Sequence, residues 1–261
     1  MELLSKFFHF IFSIGDPRIN NWVLFNPSVV ISVLFSYLYF VFVCGPRFMK
    51  NRQPYSLKTF IRCYDIFQIV MNSFIVYKLI RGGWFTTLSI FCEPIVYRTD
   101  PANIELLIAC WLAHITKFID LIETGIFVLR KKNNQISFLH LYHHISTVLI
   151  SWIFGKRYAS GMGTFLPLVN CSVHVMMYTY YLLSTFGPNV QKVIYNYKYL
   201  LTVIQMVQFV ILICHASQSL SPNCDIDNTP GIVLIINLLI NLGLFYNFYK
   251  KTYVVKQAKQ R

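Results

Sequence analysis

Three histidines are clustered at the start of one apolar segment of the chain. His140, His143 and His144 occupy positions i, i+3 and i+4, so on a helix they share one face. Ionisable side chains within a membrane-spanning segment are costly, and they occur mainly where they serve binding or catalysis. This cluster is therefore the first candidate for the chemistry of the protein.

Three other apolar segments carry polar residues at helical spacing. Lys117, Asp120 and Glu123 follow one another at three-residue intervals in the segment before the histidines. Two later segments show the same kind of polar face. In the first of these segments the polar residues are Asn170, His174, Tyr178 and Tyr181. In the second they are Thr202, Gln205 and Gln208.

The composition indicates a membrane protein. Of the 261 residues 56% are hydrophobic and only 13% are charged, about half the charged fraction of a soluble domain. We therefore predict an all-α, polytopic protein with one domain over residues 1–261 and an interfacial amphipathic piece at residues 1–15. The seven predicted spans lie at 27–44, 59–80, 104–129, 138–154, 161–183, 199–217 and 230–249.

The distribution of Lys and Arg predicts the orientation. Fourteen basic residues lie in the first, third and fifth connections and the C-terminal tail, whereas six lie on the other side. The positive-inside rule then assigns a lumenal N-terminus and a cytosolic C-terminus. These charges flank apolar spans rather than forming a stripe, so they do not indicate a nucleic-acid partner. In this orientation the polar faces converge in the cytosolic half of the bilayer, which suits a substrate with a polar head and an apolar tail.

Three chemistries are open for the histidine cluster. Membrane di-iron desaturases and hydroxylases use H-x-x-H-H boxes, but they need several boxes, and this chain has one cluster among seven histidines. A proton-coupled transporter would show polar residues toward both sides of the membrane and often an internal repeat. A neutral imidazole can also act as a base or nucleophile on a thioester. We favour acyl transfer without a metal or cofactor.

Taken in order, these motifs resemble the very long chain fatty acid elongase (ELO) family, the membrane 3-ketoacyl-CoA synthases. The family's K-x-x-E-x-x-D-T corresponds to residues 117–124, and its H-x-x-H-H to residues 140–144. Its N-x-x-x-H-x-x-M-Y-x-Y-Y corresponds to 170–181, and its T-x-x-Q-x-x-Q to 202–208. At position 120 this chain has Asp where the family often has Glu. At position 123 it has Glu where the family usually has Asp.

The resemblance implies the condensing step of fatty acid elongation in the endoplasmic reticulum membrane. A long-chain acyl-CoA and malonyl-CoA would give 3-ketoacyl-CoA, CoA and CO2. The implied fold has seven transmembrane helices, six of them ringed around an acyl tunnel that opens to the cytosol. The implied partners are the ketoreductase, dehydratase and enoyl reductase of the cycle, and a second elongase in a homo- or heterodimer.

Within this framework we predict that His143 is the nucleophile that accepts the acyl group, with a general-base role as the alternative. His174 would act as base or second contact, and Tyr178 and Gln205 would donate to the thioester oxygen. We reject Cys171 because an apolar site disfavours the thiolate. The further predicted catalytic residues are His140, His144, Lys117, Asp120, Glu123 and Asn170. The predicted substrate-binding residues are Arg130, Lys132, Lys198, Tyr181, Gln208 and Thr202.

The cysteines give one further prediction. Of the seven cysteines, only Cys92 and Cys224 fall in connections assigned to the oxidising lumen. We therefore predict a disulfide between them, which would tie the connection between the second and third spans to that between the sixth and seventh.

Overall fold

A computed structural model describes residues 15–19 and 22–255, and these residues form helices and connections without a β-strand. The all-α prediction is confirmed for this part of the chain, whereas the amphipathic piece predicted at residues 1–15 lies almost wholly outside it. The helices of eight or more residues are α1 Pro27–Met49, α2 Lys58–Arg81, α3 Pro101–Asp120, α4 Ile122–Leu129, α5 Phe138–Arg157, α6 Phe165–Ser184, α7 Pro188–Tyr195, α8 Lys198–Ala216 and α9 Asn228–Val254.

Side-chain caps fix where two of the site-bearing helices, α3 and α5, begin. Ser137 precedes α5, and its hydroxyl accepts a hydrogen bond from the backbone N–H of His140 at 3.2 Å. Asp100 caps α3 in the same way, with Pro101 in the first turn where its missing N–H costs nothing. The cap on α5 places the first histidine of the cluster in the opening turn of the helix.

Six helices contact one another in a closed ring. In order around the ring they are α2, α6, α8, α9, α5 and α3, and α3 packs against α2 to complete it. Helix α1 stays outside the ring, where it contacts α4 and α5. The interior of the ring is where the polar faces of α3, α5, α6 and α8 can meet without contacting lipid.

Two details differ from the sequence prediction. The predicted span at 104–129 is interrupted at Leu121, a turn between α3 and α4 that lies between Asp120 and Glu123. The predicted span at 161–183 begins with a short 3₁₀ turn, Gly161–Thr164, before α6. The 3₁₀ turn opens at Gly161 with a positive φ, and the carbonyl of Pro94 lies where a β-carbon would stand.

Four helical stretches of the described chain are long and apolar enough to cross a membrane, as judged by length and composition. They are Pro27–Met49, Lys58–Arg81, Lys198–Leu220 and Asn228–Val254. The protein is therefore a multi-pass membrane protein. Helices α3, α5 and α6 carry the charged and histidine residues of the polar faces.

A disulfide joins Cys92 to Cys224, the pair expected from the sequence, with 5.8 Å between the two Cα atoms. It links the connection before α3 to the connection before α9. We call this the disulfide end of the bundle, and we call the opposite end, where α4 ends and α8 begins, the basic end. Cys63 and Cys214 are exposed and unbonded, whereas Cys110 and Cys171 are buried.

The disulfide gives a direct expected result. Alkylation of the detergent-solubilised protein followed by peptide mapping without reductant should find Cys92 and Cys224 in one cross-linked species. Exposed Cys214 is the control, because it should be alkylated with or without reductant. Full alkylation of Cys92 and Cys224 before reduction would contradict the assignment.

Candidate active site

A cavity of about 460 Å³ opens at the basic end of the helix ring. We call it the mouth cavity. Its walls come from the end of α3 and from α4, α5, α6, α8 and α9, so all four polar faces identified in the sequence reach it. The predicted site residues that line it are Asp120, Glu123, His140, His143, His144, His174, Tyr178, Tyr181, Lys198, Thr202, Gln205 and Gln208.

Two of the three clustered histidines face α4. The Nε2 atom of His140 lies 2.8 Å from the hydroxyl of Thr124, which in turn lies 2.8 Å from the hydroxyl of Tyr37 on α1. The Nε2 atom of His144 lies 3.5 Å from the carboxyl group of Glu123. The His140 and His144 rings are 4.2 Å apart. His140 is therefore hydrogen-bonded to α4, whereas His144 packs against His140 and approaches Glu123 without a hydrogen bond.

His143 has a different partner. Its Nδ1 atom lies 3.2 Å from the side-chain oxygen of Asn241 on α9. The amide nitrogen of Asn241 donates to the carbonyl of Asn237 at 2.9 Å, which fixes the direction of the Asn241 side chain. Because an amide oxygen can only accept, His143 carries its hydrogen on Nδ1 and keeps a lone pair on Nε2. Asn241 therefore orients His143 from α9, a helix that does not carry the histidine cluster.

A second network buries the charged residues of α3. The Nζ atom of Lys117 lies 3.1 Å from Asp120, and the Gln68 amide donates to the same carboxylate at 2.7 Å. The Tyr178 hydroxyl lies 3.1 Å from Asp120 and 2.7 Å from Glu123. Lys117 and Asp120 are only 6% and 3% exposed. A buried ion pair of this kind needs such additional hydrogen bonds to offset the cost of desolvation.

The polar residues predicted to contact the substrate differ in whether their polar atoms already have partners within the protein. The Tyr178 hydroxyl is engaged with two carboxyl groups, so its hydrogen is committed within the protein. The Gln205 amide contacts only the sulfur of Met177, at 3.3 Å, and sulfur is a weak acceptor. His174 is buried and its Nδ1 atom has no hydrogen-bond partner, and the same holds for the side-chain oxygen of Gln208. Gln205, His174 and Gln208 thus retain polar atoms for a bound molecule.

A narrower cavity of about 80 Å³ continues from His143 into the ring. His143 and Thr147 line both this inner cavity and the mouth cavity. The predicted site residues Lys117 and Asn170 line the inner cavity rather than the mouth. The remaining walls are mostly apolar residues of α3, α5, α6, α8 and α9. His143 therefore stands where a polar chamber meets a narrow, mainly apolar one.

The predicted basic residues are divided by the structure. Exposed Lys198 lines the mouth cavity at the start of α8. Arg130 and exposed Lys132 lie in the connection after α4, beside the cavity wall rather than in it. The same connection contributes Asn134 and Gln135 to the wall. All three cations thus lie at the basic end, but only Lys198 lines the mouth cavity.

Within the described part of the chain, one group of three side chains brings candidate metal-ligand atoms close together. Glu123, His140 and His144 have candidate ligand atoms within 4.8 Å of one another. However, His140 Nε2 is bonded to Thr124, and His144 Nε2 faces Glu123. One candidate ligand atom, His140 Nε2, therefore already has a hydrogen-bond partner outside the group.

Comparison with known proteins decides the family. The profile of the ELO (GNS1/SUR4) family matches residues 22–261. The chain belongs to the ELO family. It is 37% identical to very long chain fatty acid elongase 1 of Mus musculus, over 97% of this chain and 91% of the relative. It is 36% identical to very long chain fatty acid elongase 7 of Rattus norvegicus, over 93% of this chain and 87% of the relative. It is 35% identical to very long chain fatty acid elongase 4 of Homo sapiens, over 95% of this chain and 79% of the relative.

The ELO motifs identified from the sequence account for most of the mouth cavity, but the structure adds residues outside them. Asn241 orients His143, and Gln68 supports Asp120 from α2. Tyr253 enters the wall from the end of α9, with its hydroxyl 3.5 Å from that of Thr202. The sequence signal for the first of these was the pair Asn237 and Asn241, one helical turn apart in an otherwise apolar segment.

Proposed function

We propose that this ELO-family chain is a very-long-chain 3-ketoacyl-CoA synthase, the condensing enzyme of fatty acid elongation. It joins a long-chain acyl-CoA to malonyl-CoA and yields 3-ketoacyl-CoA, CoA and CO2. The observation that carries the proposal is the position of His143, whose Nε2 lone pair is available at the junction of the polar mouth cavity and the narrower inner cavity. A thioester carbonyl at this junction would have its CoA in the mouth and its acyl chain inside.

The acyl chain follows a path through successive cavities. The inner cavity shares walls with a third cavity toward the disulfide end, including Phe154, Tyr158 and Leu212. From His143 to Tyr158 helix α5 rises about 22 Å, at 1.5 Å for each residue. A tunnel of this depth, narrow where apolar side chains meet, supports a long acyl chain as the substrate.

The reaction proceeds by acyl transfer to His143. Its Nε2 atom attacks the thioester carbonyl, because the hydrogen on Nδ1 is held by Asn241. Malonyl-CoA then loses CO2, and the resulting carbanion takes the acyl group from the imidazole. His174 and Gln205 are the groups with free polar atoms to contact the carbonyl oxygen or malonyl-CoA. No metal or other cofactor takes part in this scheme.

The same proposal includes the membrane arrangement. Seven spans cross the endoplasmic reticulum membrane, with the N-terminus lumenal, the basic end in the cytosol and the C-terminus beside it. The disulfide at the opposite end supports this orientation, because the lumen is oxidising and the cytosol is reducing. The product requires a ketoreductase, a dehydratase and an enoyl reductase to complete the cycle, and a homo- or heterodimer of elongases remains part of the proposal.

Labelled malonyl-CoA offered with a panel of acyl-CoA substrates tests the function. Microsomes or proteoliposomes with the protein should incorporate label into 3-ketoacyl-CoA, and the active chain lengths define the substrate range. Absence of incorporation together with stoichiometric iron would instead support a desaturase or hydroxylase. Absence of both, with saturable transport, would support a transporter.

A charge-neutralising variant tests the role of the basic end. Arg130→Gln with Lys132→Gln should raise the apparent KM for acyl-CoA, because the phosphates of CoA lose two favourable charges at the opening. The increase should be larger at low salt than at high salt, since salt screens exposed charges. The measurement is the KM at two ionic strengths for correctly inserted protein.

Lys78→Gln is the control for this experiment, because Lys78 pairs with Glu105 away from the mouth cavity. Its KM for acyl-CoA should stay at the wild-type value. An unchanged KM in the Arg130 and Lys132 double variant would mean that these residues serve topology alone.

A further inference from the structure

The third cavity, at the disulfide end, combines a mainly apolar entrance with polar side chains. It encloses about 40 Å³. The residues that line both this cavity and the inner cavity are Phe154, Tyr158, Gly163, Leu166, Leu212 and Leu234. His215 and Ser219 line the third cavity but not the inner one. An acyl chain that extends from His143 would therefore pass between mostly apolar side chains before its distal end reaches polar ones.

His215 is a buried imidazole with a nitrogen that lacks a partner. It is 7% exposed, and its Nε2 atom has no hydrogen-bond partner within the described part of the chain. His114 on α3 shows the usual arrangement, with Nδ1 2.8 Å from the Ser151 hydroxyl and Nε2 3.1 Å from the Leu24 carbonyl. Because buried polar atoms are nearly always hydrogen-bonded, Nε2 of His215 indicates a polar partner supplied by a bound molecule.

The aromatic neighbours of His215 do not supply this partner. The Phe165 ring stacks on the imidazole with the ring centroids 4.1 Å apart, and the Trp84 ring lies at 6.5 Å. The indole N–H of Trp84 donates to the Thr164 hydroxyl at 2.8 Å. The two rings therefore hold the plane of the imidazole without engaging its nitrogen.

Ser219 supplies a second polar group one helical turn after His215, in the 3₁₀ turn Ser217–Leu220 that follows α8. It is 3% exposed, and its hydroxyl donates to the carbonyl of Ala216 at 2.8 Å, so its oxygen can still accept. A β-carbon at Gly231 on α9 would overlap this oxygen. Helix α9 therefore closes against Ser219 because residue 231 has no side chain.

We propose that the third cavity binds the distal end of an acyl chain that carries a terminal hydroxyl group, so that ω-hydroxyacyl-CoA is a substrate class of this enzyme. This inference rests on the proposed function. A hydroxyl group both donates and accepts, so it can bond to His215 Nε2 whether or not that nitrogen carries the hydrogen. Ser219 offers the same hydroxyl group an additional acceptor.

The proposal predicts a dependence on chain length. A hydroxyl group that reaches His215 replaces a missing hydrogen bond, whereas a methyl group leaves Nε2 without a partner. In a shorter chain the hydroxyl group stops among the mostly apolar side chains between the two cavities, where its desolvation is not compensated. The terminal hydroxyl should therefore weaken binding of short chains and strengthen binding of chains that reach the third cavity.

The first experiment measures equilibrium binding to the full-length protein in lipid nanodiscs. The ligands are pairs of acyl-CoA thioethers of equal length, one with a terminal methyl and one with a terminal hydroxyl group. A methylene group replaces the carbonyl in these ligands, so they cannot be cleaved and binding does not depend on activity. The hydroxyl ligand should have the higher Kd at short lengths and a Kd about 3- to 10-fold lower at the length that reaches His215.

Variants of the two polar residues test the assignment at that length. His215→Leu should remove the preference for the hydroxyl ligand, whereas His215→Gln should keep part of it, because its amide can replace Nε2. Ser219→Ala should reduce the preference. Ser217→Ala is the matched control, since Ser217 also donates to a backbone carbonyl at 2.8 Å but is exposed and does not line the third cavity. The readout is a ratio of two Kd values, so loss of folded protein does not change it.

The second experiment offers the corresponding pairs of cleavable acyl-CoA substrates with labelled malonyl-CoA. The kcat/KM for elongation should favour the hydroxyl substrate at the same length as binding does. A terminal hydroxyl that weakens binding at every length, or a preference that is unchanged in His215→Leu, would overturn the proposal and indicate that a water molecule satisfies His215. Failure of the elongase function would appear separately, as the expected binding preference without malonyl incorporation from any substrate.

Discussion

His143→Ala should abolish CoA release and the formation of a histidine-linked acyl adduct when acyl-CoA is supplied without malonyl-CoA. The loss should reach about 10⁴-fold or more, the scale seen when a catalytic nucleophile is removed. The physical reason is that Nε2 of His143 carries the available lone pair, because Nδ1 donates to Asn241. Rapid-quench measurement of free CoA and intact-protein mass spectrometry provide the two readouts.

Cys171→Ala is the matched control, since soluble condensing enzymes use cysteine and Cys171 lines the same inner cavity as His143. Cys171 is fully buried. Lys117 also lines that cavity, but its ammonium group is paired with Asp120 and is not free to stabilise a thiolate. Both CoA release and adduct formation should therefore persist in Cys171→Ala. An adduct that survives in His143→Ala, or disappears in Cys171→Ala, would identify another nucleophile.

Asn241→Leu separates positioning from chemistry in the same assay. Leucine has a similar size but cannot accept the hydrogen bond from His143, so the Nδ1–H tautomer loses its support. The rate of CoA release should fall less than in His143→Ala, and the adduct should still form on His143. A complete loss of adduct in Asn241→Leu, in folded protein, would mean that Asn241 acts on the substrate itself.

Lys117→Met should lower the free energy of unfolding by about 3–5 kcal/mol, the range for leaving one member of a buried ion pair without its partner. Asp120 is 3% exposed, and Gln68 and Tyr178 hydrogen bonds cannot neutralise its charge. Reversible unfolding in mixed micelles gives the free energy. The double variant Lys117→Met with Asp120→Asn should recover most of the loss, because it removes both charges.

Lys78→Met provides the comparison for a less buried pair. Lys78 and Glu105 are 2.7 Å apart, but their side chains are 19% and 26% exposed. The expected loss is about 1 kcal/mol. Equal losses in Lys117→Met and Lys78→Met would show that burial of the Lys117 pair adds nothing to its contribution.

Part of what underlies these expected results can be predicted from the sequence, and part depends on how the helices pack. The sequence alone determined that the chain is helical, that it lies in a membrane and that four segments carry polar faces. These properties follow from local chemistry, because helical spacing and apolar length constrain the backbone before any tertiary contact forms. The order of the motifs was also sufficient to predict the ELO family, which the comparison with known proteins confirmed.

Tertiary structure decided how the polar residues are paired. Helical spacing placed His140, His143 and His144 on one face, but it could not indicate that His143 turns to α9 while His140 and His144 turn to α4. Those choices depend on which helices are neighbours in the ring, and the partners lie far away in sequence. Spacing therefore predicted a cluster but not the tautomer of the proposed nucleophile, His143.

The network around Asp120 shows the same division. The i, i+3 spacing allows Lys117 and Asp120 to meet on one helix face, and the structure pairs them. Gln68 on α2 and Tyr178 on α6 reach this pair only because α2 packs against both α3 and α6. Local sequence determines which polar groups exist, whereas the packed helices determine which groups contact one another.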